Sequence, residues 1–359
     1  MALTHGGDTE GFLLVHGYEP LDFSANVNPL GTPDTVAQAI REAAGKLDAY
    51  PDPLCRRLTH AIAKHEGLSE KLVLCGNGAA DLIWRLALAV KPRCALITSP
   101  TFSEYELALS AVSCDVRRYL LDIRDSFALT EDFLKALTPD IDMVFLCNPN
   151  NPTGLTIALG LLRAISDACK ERNILLVVDE CFNGFVEQPE AHTLRNRLAC
   201  GDRHILILKA FTKLYGMAGA RLGYCMCVDE ALLEKIRLAG QPWAVSSLAQ
   251  AAGIAALQAQ DYVNETKRLI RAEREYLRSA LLSLGLTMVS GEANYLFFHA
   301  DIPALTSQMA SRGILIRDCS NYPGLQAGYY RIAVRTHTEN GRLIGAMQAC
   351  IKEVSWQNR

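Results

Sequence analysis

The chain has 359 residues, of which 50% are hydrophobic and 21% charged, and its net charge is -3. That length exceeds what one hydrophobic core accommodates, so two domains are expected. The charge balance gives no electrostatic case for nucleic acid or an anionic membrane as partner. Met1 to Glu10 carries His5, Asp8 and Glu10 where a secretory signal would have a basic and then an apolar region, and no stretch approaches the apolar length of a membrane span. A cytoplasmic protein is expected. Of the 12 cysteines, those in apolar runs (Cys75, Cys94, Cys147) read as small core residues in a reducing compartment, and there is no C-x-x-C pair. The histidines lack ligand spacing, with His60 and His65 on different helix faces, so no metal is expected.

In chain order, residues 1–30 hold Gly, Asn and Pro without clear periodicity and read as an N-terminal arm. From there to residue 255, apolar runs alternate with helical periodicity. Strands are expected at Leu72–Cys75, Cys94–Thr98, Met143–Cys147, Ile174–Val178, Ile205–Leu208 and Leu222–Val228. Helices are expected at Ala79–Ala89, Glu104–Ala111, Ala158–Glu171 and Glu230–Leu238. This alternation predicts an α/β fold, a large domain (31–255) with a mostly parallel sheet covered by helices on both faces. Over 256–359 the texture changes to a smaller α+β domain. A long charged helix there, with Lys267, Arg268, Arg271 and Arg274 among glutamates as its solvated face, leads to strands at Tyr295–Phe298, Ile314–Arg317 and Tyr330–Val334.

Six segments carry chemistry. Gly76-Asn-Gly-Ala-Ala-Asp81 follows a strand and opens a helix, which suits either an anion cradle or a tight turn. Ser99-Pro-Thr-Phe102 ends a strand with an aromatic that could face a flat ring or fill a core. Asn148-Pro-Asn-Asn-Pro-Thr-Gly154 fixes an unusual loop in which Asn151 could present its amide to a ring hydroxyl. Ile174-Leu-Leu-Val-Val-Asp-Glu180 is a buried strand ending in carboxylates, where Asp179 could pair with a protonated pyridine nitrogen or cap a helix. In Leu208-Lys-Ala-Phe-Thr-Lys-Leu-Tyr-Gly-Met-Ala-Gly-Ala-Arg-Leu-Gly-Tyr224, Lys213 precedes Arg221 by eight residues, with glycines between them. An amine for an aldehyde beside a guanidinium for a phosphate is what a pyridoxal 5'-phosphate (PLP) site needs. Further on, strand alternation over Tyr330-Arg-Ile-Ala-Val-Arg335 puts Arg331 and Arg335 on one face. With Arg317 they suggest a substrate bearing a carboxylate and a phosphate, surface salt bridges being the alternative, above all for Arg335.

These segments, in this order, resemble the fold-type I PLP-dependent enzymes of the aspartate aminotransferase superfamily over nearly the whole chain. Within it the chain is similar to the histidinol-phosphate aminotransferase branch and most similar to the threonine-phosphate decarboxylases of cobalamin biosynthesis. The strings that carry this are His5-Gly-Gly7, Asp22-Phe-Ser-Ala-Asn-Val-Asn-Pro-Leu-Gly31, Tyr50-Pro-Asp52, Ile314-Leu-Ile-Arg-Asp-Cys-Ser-Asn-Tyr-Pro-Gly324 and Tyr329-Tyr-Arg-Ile-Ala-Val-Arg335. The resemblance implies Lys213 as the Schiff-base lysine, Asp179 on the pyridinium nitrogen, Asn151 on the ring oxygen and Phe102 against the ring. It places Gly78, Ala79, Thr212 and Arg221 around the cofactor phosphate, joined by Tyr50 from the neighbouring subunit of a homodimer. Arg331 would grip the substrate α-carboxylate, while His5, Gly6, Asn26, Asn151 and Arg317 line the rest of the substrate pocket.

Three departures bear on the reaction. Phe182 stands where aminotransferases usually have a tyrosine, as it does in the decarboxylases. Arg335 replaces a usual glycine, which would add a cation for a strongly anionic substrate, and Ala210 replaces a serine that would contact the cofactor phosphate. The implied reaction is decarboxylation of L-threonine O-3-phosphate to (R)-1-amino-2-propanol O-phosphate. Histidinol-phosphate aminotransferase is the alternative, and a non-catalytic ligand-binding protein with a PLP fold is a third reading.

Overall fold

The computed structural model of the protein describes residues 5–357. Strand β1 (Leu21–Asp22) belongs to the N-terminal segment. A seven-stranded sheet then takes β2 (Val73–Gly76), β3 (Cys94–Ser99), β4 (Asp115–Leu120), β5 (Met143–Cys147), β6 (Leu175–Asp179), β7 (Ile205–Ala210) and β8 (Gly223–Cys227). Its order is β2-β8-β7-β6-β5-β3-β4, and only β8 runs against its neighbours. The central strands are buried along their whole length, as parallel strands covered on both faces must be. Alternation divides their side chains between two cores. Leu176, Val178, Ile205 and Ile207 face one, and Val177, Leu206 and Leu208 face the other, beneath the helices Ala79–Val90 and Glu104–Ser110.

The second sheet is antiparallel. It is built from β9 (Thr287–Val289), β10 (Tyr295–His299), β12 (Arg317–Asp318) and β13 (Tyr329–Ala333) in the order β12-β13-β10-β9. Strand β11 (Ile314–Leu315) instead pairs in parallel with β1, tying the N-terminal segment to this layer. The stretch Ile314–Arg317, expected as one strand, is thus two short pieces serving two sheets. The expected arm also holds an unexpected helix, Thr9–His16, capped by the Asp8 side chain and ended by Gly17 at φ 78°. Among the described residues no helix is long and apolar enough to cross a membrane, and all twelve cysteines are free.

Candidate active site

Open α/β sheets offer ligands the crevice beyond the carboxyl ends of their strands, and the expected segments converge there. Asp179 ends β6, the Asn148–Gly154 loop follows β5, Phe102 follows β3 and Lys213 follows β7. A cavity of about 360 Å³ opens between them and the small sheet. Of the expected cofactor residues, Ala79, Phe102, Asn151, Asp179, Thr212, Lys213 and Arg221 line it; of the substrate residues, His5, Gly6, Asn26, Arg317 and Arg331 do.

Asp179 is held from behind. Its Oδ2 accepts from the Tyr105 hydroxyl at 2.6 Å and its Oδ1 from the Cys181 backbone N–H at 2.9 Å. Burial, with the Asp179 charge adding, pushes the Tyr105 phenol well above its usual range, so it stays a donor. Lys213 has the opposite bias. Burial and then the Arg331 and Arg221 charges lower its ammonium to about 8. An amine so placed loses its proton far more readily than an ordinary lysine and is available as a nucleophile. Gly78 stands at φ 86°, and a Cβ there would come 2.8 Å from Arg221 Nη2, so glycine keeps open the space beside that guanidinium. These groups fit PLP: an amine of depressed pKa, a braced carboxylate, and an arginine beside a glycine gap at a helix start.

The small sheet supplies the cations. Arg317 on β12 and Arg331 on β13 are direct cross-strand partners, 8% and 6% exposed. Arg331 donates to Asn151 Oδ1 and, at 2.8 Å, to the Ser24 carbonyl, and its Nε has no hydrogen-bond partner among the described residues. Arg317 donates to Asn321 Oδ1 at 2.8 Å and lies over the Tyr322 ring. Like charges directly opposite on neighbouring strands repel, so an anion between or beside them would be favoured. Asn26 Oδ1 is also buried and unpartnered among the described residues, an acceptor facing the same cavity.

Two expectations need correction or relocation. Arg335 is not in the cavity: β13 stops at Ala333, and the Arg335 guanidinium turns to the Asp22 carbonyl (3.0 Å) and the Glu339 carboxylate (2.7 Å). Alternation placed it with Arg331 only as long as the strand continued, so the salt-bridge alternative holds and it adds no cation for a substrate. Tyr50 lies outside its own chain's cavity, 81% exposed and tilted by 30° against Trp243 with ring centroids 4.7 Å apart. Phe182 and Ala210 do line the cavity, so both expected hydroxyls are absent from its wall. Sequence reasoning missed Glu104, Cys181, Ser24 and Tyr322, which also line it. Glu104 lies two residues past Phe102, and Cys181 two past Asp179. Position beside a motif was the only signal for either.

A profile of the aminotransferase class I and II family matches residues 18–347. The chain is 40% identical over 351 residues to a threonine-phosphate decarboxylase of Salmonella typhimurium, covering 96% of this chain and 95% of that protein. It is 33% identical over 344 residues to a histidinol-phosphate aminotransferase of Symbiobacterium thermophilum, covering 94% and 92%. Among solved structures, a histidinol-phosphate aminotransferase from Clostridium acetobutylicum superposes with a TM-score of 0.87 at 27% identity, over 92% of this chain and 99% of that one.

Proposed function

Since the chain belongs to the aminotransferase class I and II family, we propose that it is a PLP-dependent decarboxylase of L-threonine O-3-phosphate. The products are (R)-1-amino-2-propanol O-phosphate and carbon dioxide, made in the cytoplasm for cobalamin biosynthesis. The observation that carries this reading is the buried cross-strand pair Arg317 and Arg331 sharing one cavity with Lys213. Two cations so close call for a small substrate with two anionic groups.

In this reading Lys213, Asp179, Asn151 and Phe102 hold the cofactor ring, while Gly78, Ala79, Thr212 and Arg221 hold its phosphate. When bound, PLP supplies a conjugated, protonated ring that draws electrons from whichever Cα bond stands perpendicular to it. Orientation therefore selects the reaction. Arg331 grips the α-carboxylate and Arg317 with His5 the phosphate, so the carboxylate is turned into the reactive position. Lys213, being half neutral near pH 8, carries the proton that replaces the departing carboxylate at Cα. Phe182 removes a phenol from this wall, leaving fewer groups to move a proton from Cα itself. Tyr50, exposed on its own chain, serves the neighbouring subunit's cofactor phosphate in a homodimer.

Two assays with purified holoprotein test this. L-threonine O-3-phosphate should release carbon dioxide, and histidinol phosphate with 2-oxoglutarate should yield no glutamate. Glutamate without carbon dioxide would replace the reading with an aminotransferase; neither product would leave a ligand-binding protein.

A further inference from the structure

Glu104 is out of place in a pocket built for anions. It lines the same cavity as Arg317, Arg331 and Lys213, and its side chain is 16% exposed. Both of its oxygens are engaged. Oε1 lies 2.7 Å from His5 Nε2, and Oε2 accepts from the Trp84 indole N–H at 3.1 Å.

His5 reaches it from the N-terminal segment, which is docked against the opposite wall. The Gly7 backbone N–H donates to Ser24 Oγ at 2.7 Å, and Ser24 Oγ donates to Asp22 Oδ1 at 2.6 Å. A Cβ on Gly6 would overlap the Ser24 carbonyl, the same carbonyl that accepts from Arg331. The His5 ring ends 5.7 Å from that of Phe102, tilted by 44°. The segment thus links Ser24 to Glu104 along the cavity lining, with the imidazole fastened by Glu104.

We propose that Glu104 is a positioning residue for substrate specificity: it fastens the His5 imidazole into the anion pocket, and His5 in turn masks the Glu104 carboxylate from a phosphate-bearing substrate. The proposal rests on the reading of the substrate as a phosphorylated amino acid. Glu104 accepts through Nε2, which leaves Nδ1 as the ring nitrogen available to a ligand. That nitrogen donates to a phosphate oxygen when the ring carries both protons. Trp84 fixes the second carboxylate oxygen, so the carboxylate cannot rotate away from the ring without losing a donor. Unmasked, the same carboxylate would face an incoming dianion and repel it.

The mutual masking has a signature that a merely structural role lacks. His5→Ala removes a contact and exposes the carboxylate. Adding Glu104→Gln then removes the repulsion, so the second substitution should rescue the first. The experiment compares holoenzymes of wild type, His5→Ala, Glu104→Gln and the double variant. It measures KM and kcat for carbon dioxide release from L-threonine O-3-phosphate and, separately, the affinity for inorganic phosphate by titration calorimetry. His5→Ala should weaken both KM and phosphate affinity roughly tenfold, and the double variant should recover roughly three- to fivefold of that loss. The changes should fall on KM more than on kcat. A double variant as weak as His5→Ala, or weaker, overturns the proposal. If the wild type releases no carbon dioxide, the proposed reaction fails, and the phosphate affinities alone decide the role of Glu104. If it turns over without measurable phosphate binding, KM decides it. With neither turnover nor binding, both readings fall.

Discussion

Glu180 follows Asp179 at the end of β6, and alternation sends its side chain to the other face of the large sheet. There it is 2% exposed. Its Oε1 accepts from the Thr193 hydroxyl at 2.7 Å, and its Oε2 has no hydrogen-bond partner among the described residues. Lys209 Nζ lies 3.9 Å away, but it is committed to both oxygens of Glu66, at 3.0 and 3.1 Å. Burial therefore outweighs the attraction of Lys209 and the Thr193 bond, with the Glu66 charge adding, and pushes the Glu180 carboxyl up from 4.5 to about 7. The folded state holds this proton more tightly than the unfolded chain does. Its contribution to stability is complete below pH 4.5 and is lost as the pH rises through 7. At pH 8.5 the wild type carries most of a penalty of roughly 3 kcal/mol. Glu180→Gln keeps the acceptor for Thr193 and removes the charge. It should stabilise the protein by about 2–3 kcal/mol at pH 8.5, and by only about 1 kcal/mol at pH 5. Urea unfolding followed by circular dichroism at both pH values checks this. With m near the top of the usual ~1–3 kcal/mol/M range, the midpoint gain at high pH is roughly 0.7–1 M. A midpoint that falls at pH 8.5, or a gain independent of pH, would refute the reasoning and make Glu180 a working partner of Lys209.

Further outcomes follow from the site. Because Arg331 helps to hold the Lys213 ammonium down at about 8, labelling of Lys213 by trinitrobenzenesulfonate in the apoprotein should be half-maximal near that pH. Arg331→Gln should move the midpoint upward; a wild-type midpoint near that of an ordinary lysine contradicts the assignment. The same depression makes apoprotein stability rise with pH between about 8 and 10.5. Gly78→Ala puts a Cβ 2.8 Å from Arg221 Nη2 at a positive φ, so it should cost about 1–2 kcal/mol in strain and lower PLP affinity, read as loss of cofactor absorbance on dialysis. Tyr50→Ala and Lys213→Ala should each be inactive, yet subunit exchange between them should restore about a quarter of wild-type activity, since half the random dimers carry one intact site. No recovery would place Tyr50 outside the partner's site.

Several elements were legible because one physical signal dominated them. Met143–Cys147 is apolar throughout and buried throughout, and its bounds match the expectation. Strand β4, Asp115–Leu120, went unread because it lies at the sheet edge with most of its side chains in water, which leaves its sequence polar. The helix Thr9–His16 buries only Phe12, so it has almost no apolar stripe to read. In the site, Asp179, Asn151 and Lys213 were legible because each ends or follows a buried strand. Tyr105 and Glu104 were not, although one braces Asp179 and the other meets His5. Those contacts join residues 74 and 99 positions apart, and no local pattern encodes such a distance.

The arginines show where a periodic argument stops. Alternation along one strand grouped Arg331 with Arg335, whereas pairing between strands groups Arg331 with Arg317. The second grouping bears on function because cross-strand neighbours share one face at close range, while residues four apart separate once the strand ends. Arg331 is also registered to the large sheet through Asn151 in the loop after β5, and to the N-terminal segment through the Ser24 carbonyl. The group that would orient the substrate is therefore fixed against the wall that would hold the cofactor. A shift of the small sheet relative to Asn151 would rotate the gripped carboxylate about Cα, and with it the bond presented to the ring. Choice between decarboxylation and transamination would thus depend on the Arg331–Asn151–Ser24 junction as well as on Phe182.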